Sequence, residues 1–154
     1  MINLVFTLMS IALMGWVMIA SVSYINPAQA QVRERASRVE AALGDLKDGF
    51  DEYQAATGLP ASSLAEITPA YTFLPAAPSG MSWSYGGVGN GRFFCLSGVA
   101  KPYDYEGLKR LSGVLSPQAY FINGSCGATT NAYPQNSAEG IAVAATYWVA
   151  PNLP

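Results

Sequence analysis

The sequence predicts an α+β fold in which one long N-terminal helix packs on an antiparallel sheet. Three observations carry this. An uncharged run from Leu4 to Tyr24 is followed by a stripe of apolar residues at helical spacing. From residue 81 the pattern changes to short apolar runs separated by glycine-rich turns. Two cysteines, Cys95 and Cys126, fall within this second region. A chain of 154 residues has room for one modest domain and an anchor, and too little for two ordinary domains with a linker.

The 51% apolar and 12% charged composition is explained locally, because no charged side chain occurs from Met1 to Val32. At 1.5 Å per residue the run from Leu4 to Tyr24 would reach about 31 Å as a helix, the thickness of a bilayer core. Residues 1–25 are therefore expected to form a transmembrane anchor, with Tyr24 at an interface where an amphipathic ring is favoured. A competing reading is a cleaved signal peptide, since "NPAQAQ" sets Ala28 and Ala30 in an A-x-A arrangement after a helix-breaking Pro27. The missing basic n-region and the length of the run favour a retained anchor over release after Ala30.

Beyond the anchor, Val32, Ala36, Val39, Leu43, Leu46, Phe50 and Tyr53 recur at spacings of 4, 3, 4, 3, 4 and 3. This is one face of an amphipathic helix over about 30–57, closed by Gly58 and by Pro60, which bars continuation. The stripe reads either as a seam for a partner helix or as the face the helix lays on its own sheet, and the second is the default for a single domain. If any of it is free, Val32, Val39, Leu43 and Leu46 are the candidate partner-contacting residues.

Ser63-Leu64-Ala65-Glu66 has capping-box spacing and predicts a short helix from Leu64 to Thr68, ended by Pro69. The sheet is expected over about 81–150. "MSWSYGG" and "GRFFCLSGVA" flank "GGVGNG", whose glycines permit the positive φ angles of a hairpin turn. "YEGLKRL" predicts one or two helical turns. "QAYFING" and "IAVAATYWVA" read as strands, the latter placing Ile141, Val143, Ala145, Tyr147 and Val149 on one face. "CGATTNAYPQNSAEG" is rich in turn residues and reads as a mobile surface loop.

Two cysteines, no histidine and an export-type N-terminus point to one Cys95–Cys126 disulfide in an oxidising compartment. Two thiols without histidine cannot complete a usual zinc site. Closing a loop of about 30 residues would stabilise the domain by roughly 3 to 4 kcal/mol in the chain-entropy account. The same compartment argument places residues 26–154 outside the cytoplasm.

No catalytic residue, metal site, cofactor or small-molecule substrate is expected. Without histidine there is no Ser-His or Cys-His pair. Asp51 with Glu52, and Asp104 with Glu106, read as solvated carboxylates. "GGVGNG" lacks the Lys-Ser/Thr of a phosphate loop, and Asn123-Gly124-Ser125 reads as a turn. Tyr103, Tyr105 and Tyr133 are candidate patch aromatics, although most aromatics in a small domain belong to its core. The net charge of -2 argues against nucleic acid as a partner.

Phe6-Thr7-Leu8, the amphipathic continuation, the sheet and the late cysteines together resemble the type IV pilin plan. "YQAATGLPASSLAEITPAYTFLP", "GMSWSYGG", "FFCLSG" and "NGSCGA" resemble stretches of pilin-like proteins of the type IVb and thin-pilus systems. The chain resembles most the PilM family of small inner-membrane proteins encoded with conjugative thin pili. That resemblance implies a pilin-like, non-enzymatic, single-pass protein of the bacterial inner membrane with its C-terminal domain in the periplasm. Its implied role is in pilus biogenesis or the basal body, with pilins, other assembly proteins or further copies of itself as partners.

Two positions depart from the pilin pattern. Pilins carry a glycine before the phenylalanine, where prepilin peptidase cuts, and Val5 stands here; a glutamate that pairs subunits in the fibre is replaced by Ser10. The expectation is thus an assembly protein, with two alternatives: a minor pilin of the fibre or tip, and a secreted binding domain released after Ala30.

Overall fold

The computed structural model describes Thr7 and residues 9–14, 27–135 and 140–150. The chain divides into two compact units, Met1–Gln31 and Val32–Pro154. In the first, residues 9–14 are helical, with Met9, Ile11, Leu13 and Met14 exposed. Most of the stretch expected to cross a membrane, including Val5 and Phe6, lies outside the described residues.

The α+β class fits the observed elements, but the membrane half of the expected N-terminal helix is corrected. No helix among the described residues is long and apolar enough to cross a membrane. The long helix that is present, α1 (Pro27–Thr57), carries charged side chains from Arg33 to Glu52, which a bilayer core would exclude. The expected single-pass inner-membrane location has no described helix to rest on. Pro27 lies within α1 as described, and the residues before it lie outside the described ones.

A short helix α2 (Leu64–Ile67) follows, then strands β1 (Met81–Val88) and β2 (Gly91–Ala100), helix α3 (Pro102–Leu111), and strands β3 (Tyr120–Asn123) and β4 (Ile141–Ala150). The four strands form one sheet in the order β1-β2-β4-β3, every neighbouring pair antiparallel. Gly89 takes φ +57° at the first position of the two-residue β1–β2 loop, which only a glycine does without strain. Near its end β4 carries one extra residue: Arg92 pairs with Ala150 and Phe93 with Trp148, leaving Val149 as a bulge.

Strand alternation gives the sheet two buried faces. On one, Leu96, Ile122, Ile141, Val143 and Ala145 pack with Ala36, Val39 and Leu43 of α1 and with Tyr105, Leu108 and Leu111 of α3. Farther along the same helix, Leu46 and Phe50 join Ala61, Ile67 and Phe94. Val39, Leu43 and Leu46 are thus core residues, and Val32 is half-buried. The apolar stripe meets its own sheet, as the default for a surface helix holds.

The opposite face carries Phe93, Cys95, Phe121, Ala144 and Trp148, packed with Ala128. Residues 126–135 form the expected surface loop, tied to the sheet at several points, and 136–139 lie outside the described residues. Gly127 donates its N–H to the Thr146 hydroxyl at 3.1 Å, and the Trp148 indole donates to the Ala128 carbonyl at 3.0 Å. The Ile122 N–H donates to Asn131 Oδ1, and the Ala132 N–H to the Ile122 carbonyl, both at 2.8 Å. Turn-rich sequence here means main-chain groups answered one at a time by side chains and strand backbone.

The capping box is shifted by one residue. Ser63 makes no side-chain cap, and the Glu66 carboxylate instead accepts from the Ser62 N–H at 2.9 Å, from the Ser62 hydroxyl, and from the Tyr53 hydroxyl at 2.9 Å. These donors hold the Glu66 carboxyl below its ordinary range, the Ser62 hydroxyl first among them. The predicted one or two turns at "YEGLKRL" are a ten-residue helix, because Pro102 starts α3 earlier with its fixed φ.

Candidate functional site

Cys95 and Cys126 form the expected disulfide, with Cα atoms 5.8 Å apart. It ties β2 to the segment following β3, and Cys95 is completely buried. The chain therefore offers no free thiol. Among the described residues no group of three or more acidic or thiol side chains is placed to hold a metal ion.

The residues the sequence singled out separate in space by role. Asp51 pairs with Lys47 on the exposed side of α1, and Glu106 with Lys109 at 3.1 Å on α3. Tyr103 and Tyr133 are exposed, whereas Tyr105 is buried and donates its hydroxyl to the Pro134 carbonyl at 2.8 Å. Asp104 is not the solvated carboxylate its neighbours suggest. Only 6% of its side chain is exposed, and Oδ1 lies 3.5 Å from Arg35 Nε.

The cause is the close approach of two helices. Gly107 of α3 sits against α1 so tightly that a Cβ there would stand 3.1 Å from the Ala36 nitrogen and 3.2 Å from Arg35 Cβ. A larger residue would push the helices apart. Asp104, one turn earlier on α3, is thereby carried to Arg35. Its place in the first turn also sets a negative charge at the positive end of the helix dipole.

Above this junction lies a cavity of about 460 Å³. Its floor is Val39 and Ala42 of α1 with Leu108 of α3, its far wall the segment Pro75-Ala76-Ala77-Pro78, and Trp83 of β1 closes one side. Arg35, Arg38, Asp45 and Asp104 supply its charged groups, two of each sign. Arg38 donates to Glu34 at 2.5 Å, one turn away. The volume and the apolar lining are those of a small-ligand or peptide pocket.

Two polar atoms of residues that line it, Trp83 Nε1 and Asp104 Oδ1, are themselves sealed from solvent and make no hydrogen bond in the protein, Asp104 Oδ1 keeping its ion pair with Arg35 Nε at 3.5 Å. They are the two side-chain atoms among the described residues that are buried without such a bond. An indole N–H can only donate and a carboxylate can only accept, so the two cannot be answered by the same kind of group. An indole N–H buried without an acceptor costs on the order of 1–3 kcal/mol, whereas the Asp104 carboxylate is offset by Arg35.

The sequence does not mark this site: Arg35 is one of several arginines on an amphipathic helix, Trp83 one aromatic in a strand, and Asp104 half of a pair that reads as solvated. The one local signal was Pro102 two residues ahead of Asp104, which marks a helix start and hence a preferred place for a carboxylate. That the carboxylate would be buried against residue 35 is a non-local fact.

No known family matches this chain, and no curated protein or solved structure matches it either.

Proposed function

We propose that this chain is a non-enzymatic, pilin-like component of type IV (thin) pilus biogenesis, acting in assembly or at the basal body by binding other pilus proteins. The observation that carries the reading is the order of parts. A 31-residue helix is followed by an antiparallel sheet, and a disulfide-stapled segment lies between its last two strands. This is the order implied by the resemblance of "FFCLSG" and "NGSCGA" to pilin-like proteins.

The lack of histidine and the engagement of both cysteines in a disulfide support a binding role over nucleophilic catalysis. Deleting the gene in its host should abolish or sharply reduce pili counted by electron microscopy, with recovery on re-expression. A photo-reactive side chain at Val32, the one of the four candidate partner-contacting residues that keeps exposed surface, should cross-link to a pilus subunit or assembly protein. Unchanged pilus number and length in the deletion strain would overturn the proposal.

A further inference from the structure

We propose that the outer edge of β1 pairs, antiparallel and about a two-fold axis at Ser84, with β1 of a second copy of this chain, joining the two sheets into one. The inference stands apart from the pilus assignment and rests on how the two edges of the sheet are finished.

β3 is four residues long, and its Ile122 N–H and carbonyl are taken by Asn131 and Ala132, so that edge is closed within the chain. β1 runs eight residues and pairs with β2 in unbroken register from Met81↔Gly98 to Val88↔Gly91. It has no proline, no charged side chain and no bulge, the devices that usually blunt an edge strand. The Val99 N–H donates to the Gly80 carbonyl, which sets the alternation along the pair. Ser82, Ser84 and Gly86 therefore turn their main-chain groups to β2, and Met81, Trp83, Tyr85 and Gly87 turn theirs outward. Among the described residues, the Met81 N–H alone of these outward groups has a partner, the Pro78 carbonyl at 3.0 Å.

A second β1 matches that edge group for group. With the axis at Ser84, Trp83 and the partner's Tyr85 exchange both main-chain bonds, and Tyr85 and the partner's Trp83 do the same. The Gly87 N–H meets the carbonyl of the partner's Met81, whose own N–H is already engaged. Every free N–H of the edge thus finds an acceptor, in the self-complementary manner that a two-fold contact requires. The side chains permit the approach. Ser82, Ser84 and Gly86 are small on the face turned from the helices, where Ser84 lies opposite Cys95, and Ser84 at the axis is exposed. No like charges meet, because β1 carries none.

The test uses the full chain in analytical ultracentrifugation and in amide hydrogen exchange over a dilution series. A dimer with a Kd on the order of 10 μM or tighter is expected. On dilution below that value, exchange should quicken about tenfold at Trp83, Tyr85 and Gly87, while the amides of Ser82, Ser84 and Gly86, bonded to β2, hold. Ser84→Lys sets two ammonium groups together at the axis and should weaken association about tenfold, and Ser84→Glu should do the same with two carboxylates. Mixing the two variants should restore the dimer, because opposite charges then meet. Should either variant unfold, as read by its melting temperature, the exchange of the unaltered chain decides alone. A monomer at about 100 μM, association that leaves those three amides unchanged, or a mixture no tighter than its parts would each overturn the proposal; the second would place the contact on another surface of the molecule.

Discussion

The two faces of the sheet are closed by different physics. The α1/α3 face is covered by helices, whose main-chain groups are already bonded internally, so its cohesion comes from apolar packing around Leu46, Phe50, Leu96 and Ile122. The opposite face is covered by irregular chain, whose main-chain groups must find partners one at a time, and it is held by directed hydrogen bonds and one covalent bond. Helices meet a sheet as cylinders on a twisted surface and leave a gap; a segment without regular structure follows the sheet closely. The cavity lined by Val39, Trp83 and Leu108 accordingly lies on the helical face.

The largest expected effect falls on the segment-covered face. Replacing both cysteines by serine should lower stability by roughly 3 to 4 kcal/mol, read as a drop in melting temperature by calorimetry. Hydrogen exchange should then quicken in residues 124–132 before it does in α1. Equal acceleration on both faces would show that the two closures act as one.

Next in size, Leu46→Ala should cost about 3 kcal/mol in denaturant unfolding, because the side chain is fully buried and the surrounding helix and sheet cannot collapse onto the space. This change should leave the disulfide-tied segment protected. Thr146→Val keeps the shape of a completely buried side chain but takes away the acceptor of the Gly127 N–H. A loss of about 1–2 kcal/mol is expected, confined to the face that hydrogen bonds close.

The smallest effect is one of pH. Burial pushes the Tyr85 hydroxyl up to about 12 from its ordinary 10.0, and burial also raises Tyr105 and Tyr120. All three pack with the helical face. A raised folded-state value means the protonated form is favoured in the fold, so the contribution is complete below pH 10 and fades as pH rises from 10 toward 12. For the partly exposed Tyr85 this amounts to about 1 kcal/mol after allowance for solvent screening. Chemical unfolding across that window should show the helical face loosening first, and Tyr85→Phe, which also gives up the hydroxyl's 2.7 Å bond to the Ala61 carbonyl, should flatten the decline.

Local pattern was enough wherever neighbours in sequence are neighbours in space. The 4-3-4-3 spacing of the apolar stripe foretold α1 from Val32 onward because helix periodicity depends on nearby residues alone, and Gly89 marked the hairpin because a two-residue turn is closed by its own backbone. Local reasoning falls short at Ser63, where the carboxylate three residues on meets Ser62 and Tyr53 instead, and at residues 126–135, where turn composition marks a loop but not what the loop is bonded to. The partners that order that segment, Thr146, Trp148 and Ile122, come from strands the segment itself does not encode.

By itself, then, the sequence determined the α+β class, the helix that meets the sheet, the hairpin and the pairing of its only two cysteines. Each follows from periodicity, backbone stereochemistry or elimination. Tertiary structure alone decided that the second face of the sheet is covered, and that Arg35, Trp83 and Asp104 share one cavity. Gly107 lets α3 approach α1 closely enough to bury a carboxylate 69 residues from its ionic partner, and no rule of local spacing reaches that far.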